Sequence, residues 1–145
     1  MIATAYLDTS VLIRVLLREK TALAEWNEID LGVTSEITRV ECYRTIDRLW
    51  STDVLDDDDY AAKCVEAEDL LSRIDVVPLT KEILRRASQS LPTPIGTLDA
   101  IHLVSAMTYR ERQDTDERPI VMATHDRSLA AGARAAHVEL LGSRG

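Results

Sequence analysis

Four carboxylates in this chain stand where a carboxylate is costly, and their chemistry sets the first question. Asp8 closes the apolar run IATAYL within TAYLDTSVLI, just where helical periodicity begins. Desolvating an unpaired charge costs several kcal/mol or forces the group to take up a proton, so something must meet Asp8. Glu41, in SEITRVE, lies one turn beyond Ile37 and should border the buried face of its helix. Asp99, in GTLDAIHL, is expected at the second position of a helix capped by Thr97, and Asp126, after IVMAT, is expected to cap the next helix. Singly, each has a plain explanation. Asp99 and Asp126 complement a helix N-terminus, and Glu41 reads as a solvated helix residue beside Arg44 and Thr45. Only Asp8, after a strand interior, resists such a reading.

If the four converge, electrostatics shifts the balance. Two carboxylates ~4 Å apart repel by about 4 kcal/mol at an effective dielectric near ~20. Four together would cost an amount on the order of the ~5–15 kcal/mol that holds a whole domain folded. A fold can accept this only with protons or cations in the cluster. An all-oxygen site suits magnesium or manganese, and no His or Cys set stands at zinc spacing. Such ions bind a phosphodiester, lower the pKa of a bound water and stabilise a leaving oxygen.

Positioning these acids requires a frame. Apolar runs of strand length, IATAYLD, LGVTS, IDVVPL, RPIVMAT and HVELL, alternate with helical stretches near residues 10–18, 21–29, 36–50, 57–73, 81–90, 98–111 and 127–135. That alternation marks an α/β fold with a parallel sheet. In an open parallel sheet, ligands bind in the crevice beyond the carboxyl ends of the strands, and Asp8, Asp99 and Asp126 fall at strand ends or helix starts that could face it. Thr80 has the character of an N-cap, and SLPTPIG at 90–96 must be a loop because Pro92 and Pro94 cannot continue a helix. The acidic run DVLDDDDY at 53–60 lacks the Gly and Glu of an EF-hand and reads as a solvated helix start.

At 145 residues with 46% hydrophobic content, the chain suits a single domain spanning 1–145. Its net charge of -8 disfavours gripping nucleic acid through overall charge, so a polyanionic substrate needs local help. Cys42 and Cys64, in no metal-binding spacing, read as reduced thiols of a cytoplasmic protein. VLIRVLL is far shorter than the ~20 residues of a membrane span, and no signal segment precedes the first strand.

The segments YLDTSVLI, SEITRVE, GTLDAIHLVSA and VMATHDRSLAAGA resemble the PIN domain, in the short form found in VapC toxins of toxin–antitoxin pairs. The resemblance covers nearly the whole chain. It implies a three-layer α/β/α fold with a central parallel sheet and a ribonuclease dependent on Mg2+ or Mn2+. It places the metal on Asp8 and Asp99, matches Glu41 and the more variable Asp126 to the remaining acids, and matches Ser10 and Thr124 to polar neighbours that orient the site. It further implies an RNA substrate cut to leave a 5′-phosphate, a VapB-type antitoxin that inserts a side chain into the acidic site, and a homodimer.

Arg14 is assigned to the RNA side of the centre, against the plain alternative that it and Arg18, Lys20, Arg39, Arg44 and Arg48 are solvated helix residues. His102 reads as a satisfied buried histidine rather than a general base. Trp26 and Trp50 read as packing residues rather than base-stacking platforms. No nucleophile elbow or glycine-rich phosphate loop is present. Competing readings are a receiver-like signalling domain, which would want adjacent acids near the first strand and a late strand-end lysine, and a module that binds RNA without cutting it.

Overall fold

The computed structural model describes residues 1–113 and 119–141. Five strands, β1 (Ile2–Leu7), β2 (Ile29–Ser35), β3 (Asp75–Val77), β4 (Val121–Ala123) and β5 (Glu139–Leu141), form one sheet in the order β3-β2-β1-β4-β5, every pair parallel. Six helices connect them: α1 (Thr9–Leu16), α2 (Ile37–Ser51), α3 (Asp57–Ser72), α4 (Lys81–Ala87), α5 (Thr97–Glu111) and α6 (Arg127–Ala135). β1 is the central strand, paired on both edges, and helices cover both of its faces, which is why its sequence does not alternate between apolar and polar residues. All five expected strands are present. Arg118, the first residue of the expected fourth strand, lies outside the described residues.

Side chains alternate across the sheet and sort the helices into two layers. Ala5, Leu7 and Ala123 pack with Val11, Leu12, Cys42, Leu70 and Leu71, from α1, α2 and α3. Tyr6, Val33, Met122 and Val77 pack with Ile83, Leu103, Val104 and Leu129, from α4, α5 and α6. The result is the expected three-layer α/β/α arrangement. α5 is buried without interruption from Ala100 to Ala106, because the sheet and both neighbouring helices close around it. Within the first layer, Leu16, Ile46 and Ala67 lock α1, α2 and α3 to one another.

Two local expectations fail. Residues 21–29 do not form a helix; only Trp26–Glu28 turns, as a 3-10 segment. The sheet claims Ile29 and Asp30, since β2 pairs with β1 from Ile2↔Ile29 onward. Nor does Thr97 cap α5. Gly96 is the N-cap and Thr97 the first helical residue, so Asp99 is the third rather than the second. The Thr80 assignment holds, its hydroxyl accepting a hydrogen bond from the Ile83 N–H, and the acidic run starts a helix as expected, with Asp56 as the N-cap of α3 accepting from the Asp59 N–H.

Candidate active site

From β1 the chain runs outward through β2 to β3 and then crosses to the other side of β1 for β4 and β5, so strand order reverses between β1 and β4. That reversal opens the crevice in which an open parallel sheet binds its ligand. Asp8 sits there, in extended backbone immediately after β1, its N–H donating to Ala123 O at 3.0 Å. It occupies the N-cap position of α1, yet its side chain makes no capping hydrogen bond. The carboxylate turns to other partners.

Those partners are two hydroxyls from opposite ends of the sequence. Ser10 Oγ donates to Asp8 Oδ2 at 2.7 Å and Thr124 Oγ1 donates to the same oxygen at 2.8 Å. Both hydroxyls also accept, Ser10 from the His125 N–H at 3.1 Å and Thr124 from the Asp126 N–H at 2.9 Å. The loop after β4 is thereby tied to the end of β1. Asp8 is only 5% exposed; hydrogen bonds to a charged acceptor are roughly twice as strong as neutral ones, which is how a carboxylate survives there.

Glu41 is held from the other side. Its Oε1 accepts from Thr9 Oγ1 at 2.9 Å and lies 2.7 Å from His102 Nε2. Burial pushes the Glu41 carboxyl up, but hydrogen bonding from His102 and Thr9 outweighs it, and the group sits below its ordinary value. His102, on α5, is buried as expected, its Nδ1 2.7 Å from the Tyr6 hydroxyl and its Nε2 3.6 Å from Asp8 Oδ1. Behind Thr9, the hydroxyls of Thr38 and Thr34 continue the polar chain to Leu7 O.

Asp126 is a helix cap, as expected, its Oδ1 accepting from the Leu129 N–H at 3.0 Å. Asp99, in the first turn of α5, is half-exposed. Its pKa is pushed up to about 6, first by partial burial and then by the charges of Asp126, Asp8 and Glu41, opposed by His102. The four acids therefore share one electrostatic field, and no lysine or arginine contributes to it at Asp99.

Arg14 does not join them. Its guanidinium donates to Thr21 O at 3.3 Å and lies 3.8 Å from Glu19, engaged with the loop after its own helix. Arg18, Arg39 and Arg44 are likewise paired, with Glu66, Glu68 and Asp47. Trp50 stacks on Tyr60 with ring centroids 4.5 Å apart, and Trp26 packs against the core of the first layer. Sequence reasoning passed over Tyr6 and Thr9. Tyr6 had a readable sign, since it shares with Asp8 the two-residue parity of the strand; Thr9 had only its hydroxyl on an otherwise apolar helix face.

The donor chemistry fits a hard divalent cation. Each of the four acids keeps an oxygen outside any hydrogen bond among the described residues: Asp8 Oδ1, Glu41 Oε2, Asp126 Oδ2 and both oxygens of Asp99. As placed, no three Asp, Glu, His or Cys side chains among the described residues form a ready cage. Among the described residues no lysine or arginine forms an ion pair with any of the four, and such oxygen ligands suit magnesium or manganese.

Fold and site together define a parallel α/β/α protein with acids gathered at its strand-order reversal. The chain belongs to the PIN domain family, whose model matches residues 5–140. Ribonuclease VapC47 of Mycobacterium tuberculosis (strain CDC 1551 / Oshkosh) is 29% identical to it over 136 residues, 89% of each chain. Among solved structures, FitAB bound to the IR36 DNA fragment matches with a TM-score of 0.71 at 17% identity, covering 94% of this chain and 93% of that one. VapBC2 from Rickettsia felis, bound to a DNA fragment from its promoter, matches with a TM-score of 0.62 at 12% identity, covering 94% and 96%. At such identities the structural likeness is one of fold.

Proposed function

We propose that the protein is a VapC-type endoribonuclease, dependent on Mg2+ or Mn2+, that hydrolyses RNA phosphodiester bonds as the toxin of a toxin–antitoxin pair. The observation that carries this reading is the placement of Asp8, Glu41, Asp99 and Asp126 near one another at the carboxyl edge of the sheet, where partial burial and then the charges of Asp126, Asp8 and Glu41 push Asp99 up to about 6. The name of the related ribonuclease supports the activity. The complexes among the structural neighbours support a VapB-type antitoxin as partner.

In this reading Asp8 and Asp99 hold the ion, with Glu41 and Asp126 beside them. When bound, the ion supplies Lewis-acid polarisation of the phosphodiester and an acidified water. The protein's own part is positioning. Ser10 and Thr124 hold Asp8 through one oxygen and leave the other for the site. Thr9 and His102 do the same for Glu41, and the α6 N-terminus does so for Asp126. No serine or cysteine nucleophile is called upon, so hydrolysis proceeds without a covalent intermediate. Arg14 lies in the substrate path in this reading only by releasing Glu19 and Thr21. The protein works as a single domain in the cytoplasm, as a homodimer, and is silenced when its antitoxin covers the acidic crevice.

The test is sequencing of RNA 5′ ends after brief expression of the wild type and of Asp8→Ala, with the purified proteins assayed on RNA in manganese and in chelator. Sharp cuts bearing 5′-phosphates, present only with wild type and absent in chelator, are expected. Equal cutting by the Asp8→Ala protein would remove the proposed site.

A further inference from the structure

The proposed site does not account for Tyr6. A fully buried phenol in a strand ordinarily finds one polar partner and has no reason to be near a catalytic carboxylate. Here the hydroxyl meets His102 Nδ1 at 2.7 Å, with the two rings edge to face. The opposite nitrogen, Nε2, faces acceptors only: Glu41 Oε1 at 2.7 Å, Thr9 Oγ1 at 3.3 Å and Asp8 Oδ1 at 3.6 Å. Thr9 already donates its own proton to Glu41. A lone pair on Nε2 would point at two carboxylates, so Nε2 must carry hydrogen. The tautomer of an imidazole is set by the bond its other nitrogen makes, and that bond is to Tyr6.

We infer that Tyr6 is a positioning residue: its hydroxyl donates to His102 Nδ1, holds the ring as the Nε2–H tautomer, and through that N–H fixes Glu41 by a single oxygen. Both bonds to Glu41 land on Oε1, from Thr9 and from His102, which leaves Oε2 to the site. The phenol is fully buried, so its hydroxyl has no solvent to turn to and stays on His102 Nδ1. Without it, Nδ1 has lost its hydrogen-bond donor and the ring is free to take the Nδ1–H form, whose Nε2 lone pair repels Glu41 and Asp8 alike. The kinetic consequence rests on the proposed nuclease activity; the tautomer itself does not.

The decisive measurement is the 15N spectrum of the histidine rings in the full chain, labelled at histidine and recorded without added metal, with His102→Gln to assign the His102 signals. Wild type should show an unprotonated Nδ1 and a protonated Nε2 at His102. Tyr6→Phe, which keeps the ring and removes only the hydroxyl, should give a mixture of tautomers. Its cleavage of RNA in manganese should fall by roughly 10- to 100-fold, the usual loss on removing a partner that orients a ligand, in kcat rather than KM. In a His102→Gln background the same substitution should change cleavage by less than about twofold, because residues acting through one another are not additive. A wild-type spectrum with Nδ1 protonated overturns the inference whether or not Tyr6→Phe folds. So does an unaltered spectrum in Tyr6→Phe, or an equal loss of cleavage in both backgrounds. A wild type that shows the expected tautomer yet cuts no RNA would instead refute the nuclease reading alone.

Discussion

Replacing Asp99 with Asn separates what the acid costs the fold from what it does for the site. The folded protein holds the Asp99 proton up to about pH 6, against 3.8 for the ordinary carboxyl. Between those values the folded state binds more protons than the unfolded chain, so wild-type stability falls as pH rises through the window. Felt in full, that difference is worth about 3 kcal/mol. Asp99 is half-exposed, however, and solvent screening reduces it to about 1 kcal/mol. The Asn side chain has the same shape and no titration. Its stability relative to wild type should therefore increase by about 1 kcal/mol from about pH 4 to about pH 7.5, a comparison in which pH-independent effects of the substitution cancel. Urea denaturation of both proteins at the two pH values, in chelator, reads this directly. Manganese should then reverse the order at neutral pH, stabilising wild type and leaving Asn nearly unmoved. A pH-independent difference, or one that shrinks as pH rises, would falsify the claim that the acids share a field.

Other substitutions probe how the remaining acids are held. Thr124→Val removes the donor to buried Asp8 Oδ2 and the acceptor of the Asp126 N–H, and should lower stability in urea by about 2 kcal/mol. Asp126→Asn preserves the cap on α6 and should shift stability by no more than about 0.5 kcal/mol, whereas Asp126→Ala should cost about 1 kcal/mol. Calorimetric manganese titration of the Asn protein then reports the charge alone, and unchanged affinity would exclude Asp126 as a ligand. Manganese affinity of wild type should drop as pH falls through about 6, approaching tenfold per pH unit as Asp99 takes up its proton; a flat profile from about pH 7 to 5 would remove Asp99 from the ion's coordination.

The layers were legible in the sequence because period and length carried them. Five apolar runs with helices between them leave little choice but a parallel sheet, and the five strands lie where those runs lie. The 21–29 segment misled because its apolar spacing suits a helix, while the strand register that claims Ile29 is a long-range fact no window can see. Asp8 was conspicuous as an acid ending a buried strand. The partners that hold it were less so, because Ser10 is near in sequence but Thr124 is 116 residues away. Asp99 drew attention as a first-turn acid, yet its raised pKa arises first from partial burial and then from Asp126, Asp8 and Glu41, and both are facts of the fold rather than of the local sequence. Arg14 failed to reach the acids for the opposite reason: a local partner, Glu19, lies five residues on.

The four acids differ in how firmly they are held, and the difference explains where the strain of bringing them together collects. Asp8 has two hydroxyls from separate elements and a backbone bond to β4. Glu41 has a threonine and a histidine, and Asp126 has the start of its own helix. Each of these bonds ends on a carboxylate oxygen and fixes its place, and the charges of all three acids bear on the fourth. Asp99 has no side-chain hydrogen bond among the described residues to answer with, and the favourable α5 N-terminus is worth only about 0.3–1 kcal/mol to it. Partial burial and the neighbouring charges together thus appear as a raised pKa at this one residue. In the proposed reading, hydrogen bonds hold three of the carboxylates in place while Asp99 exchanges its proton for a cation, and the cost of gathering the acids falls on the one carboxylate that no side-chain hydrogen bond holds among the described residues.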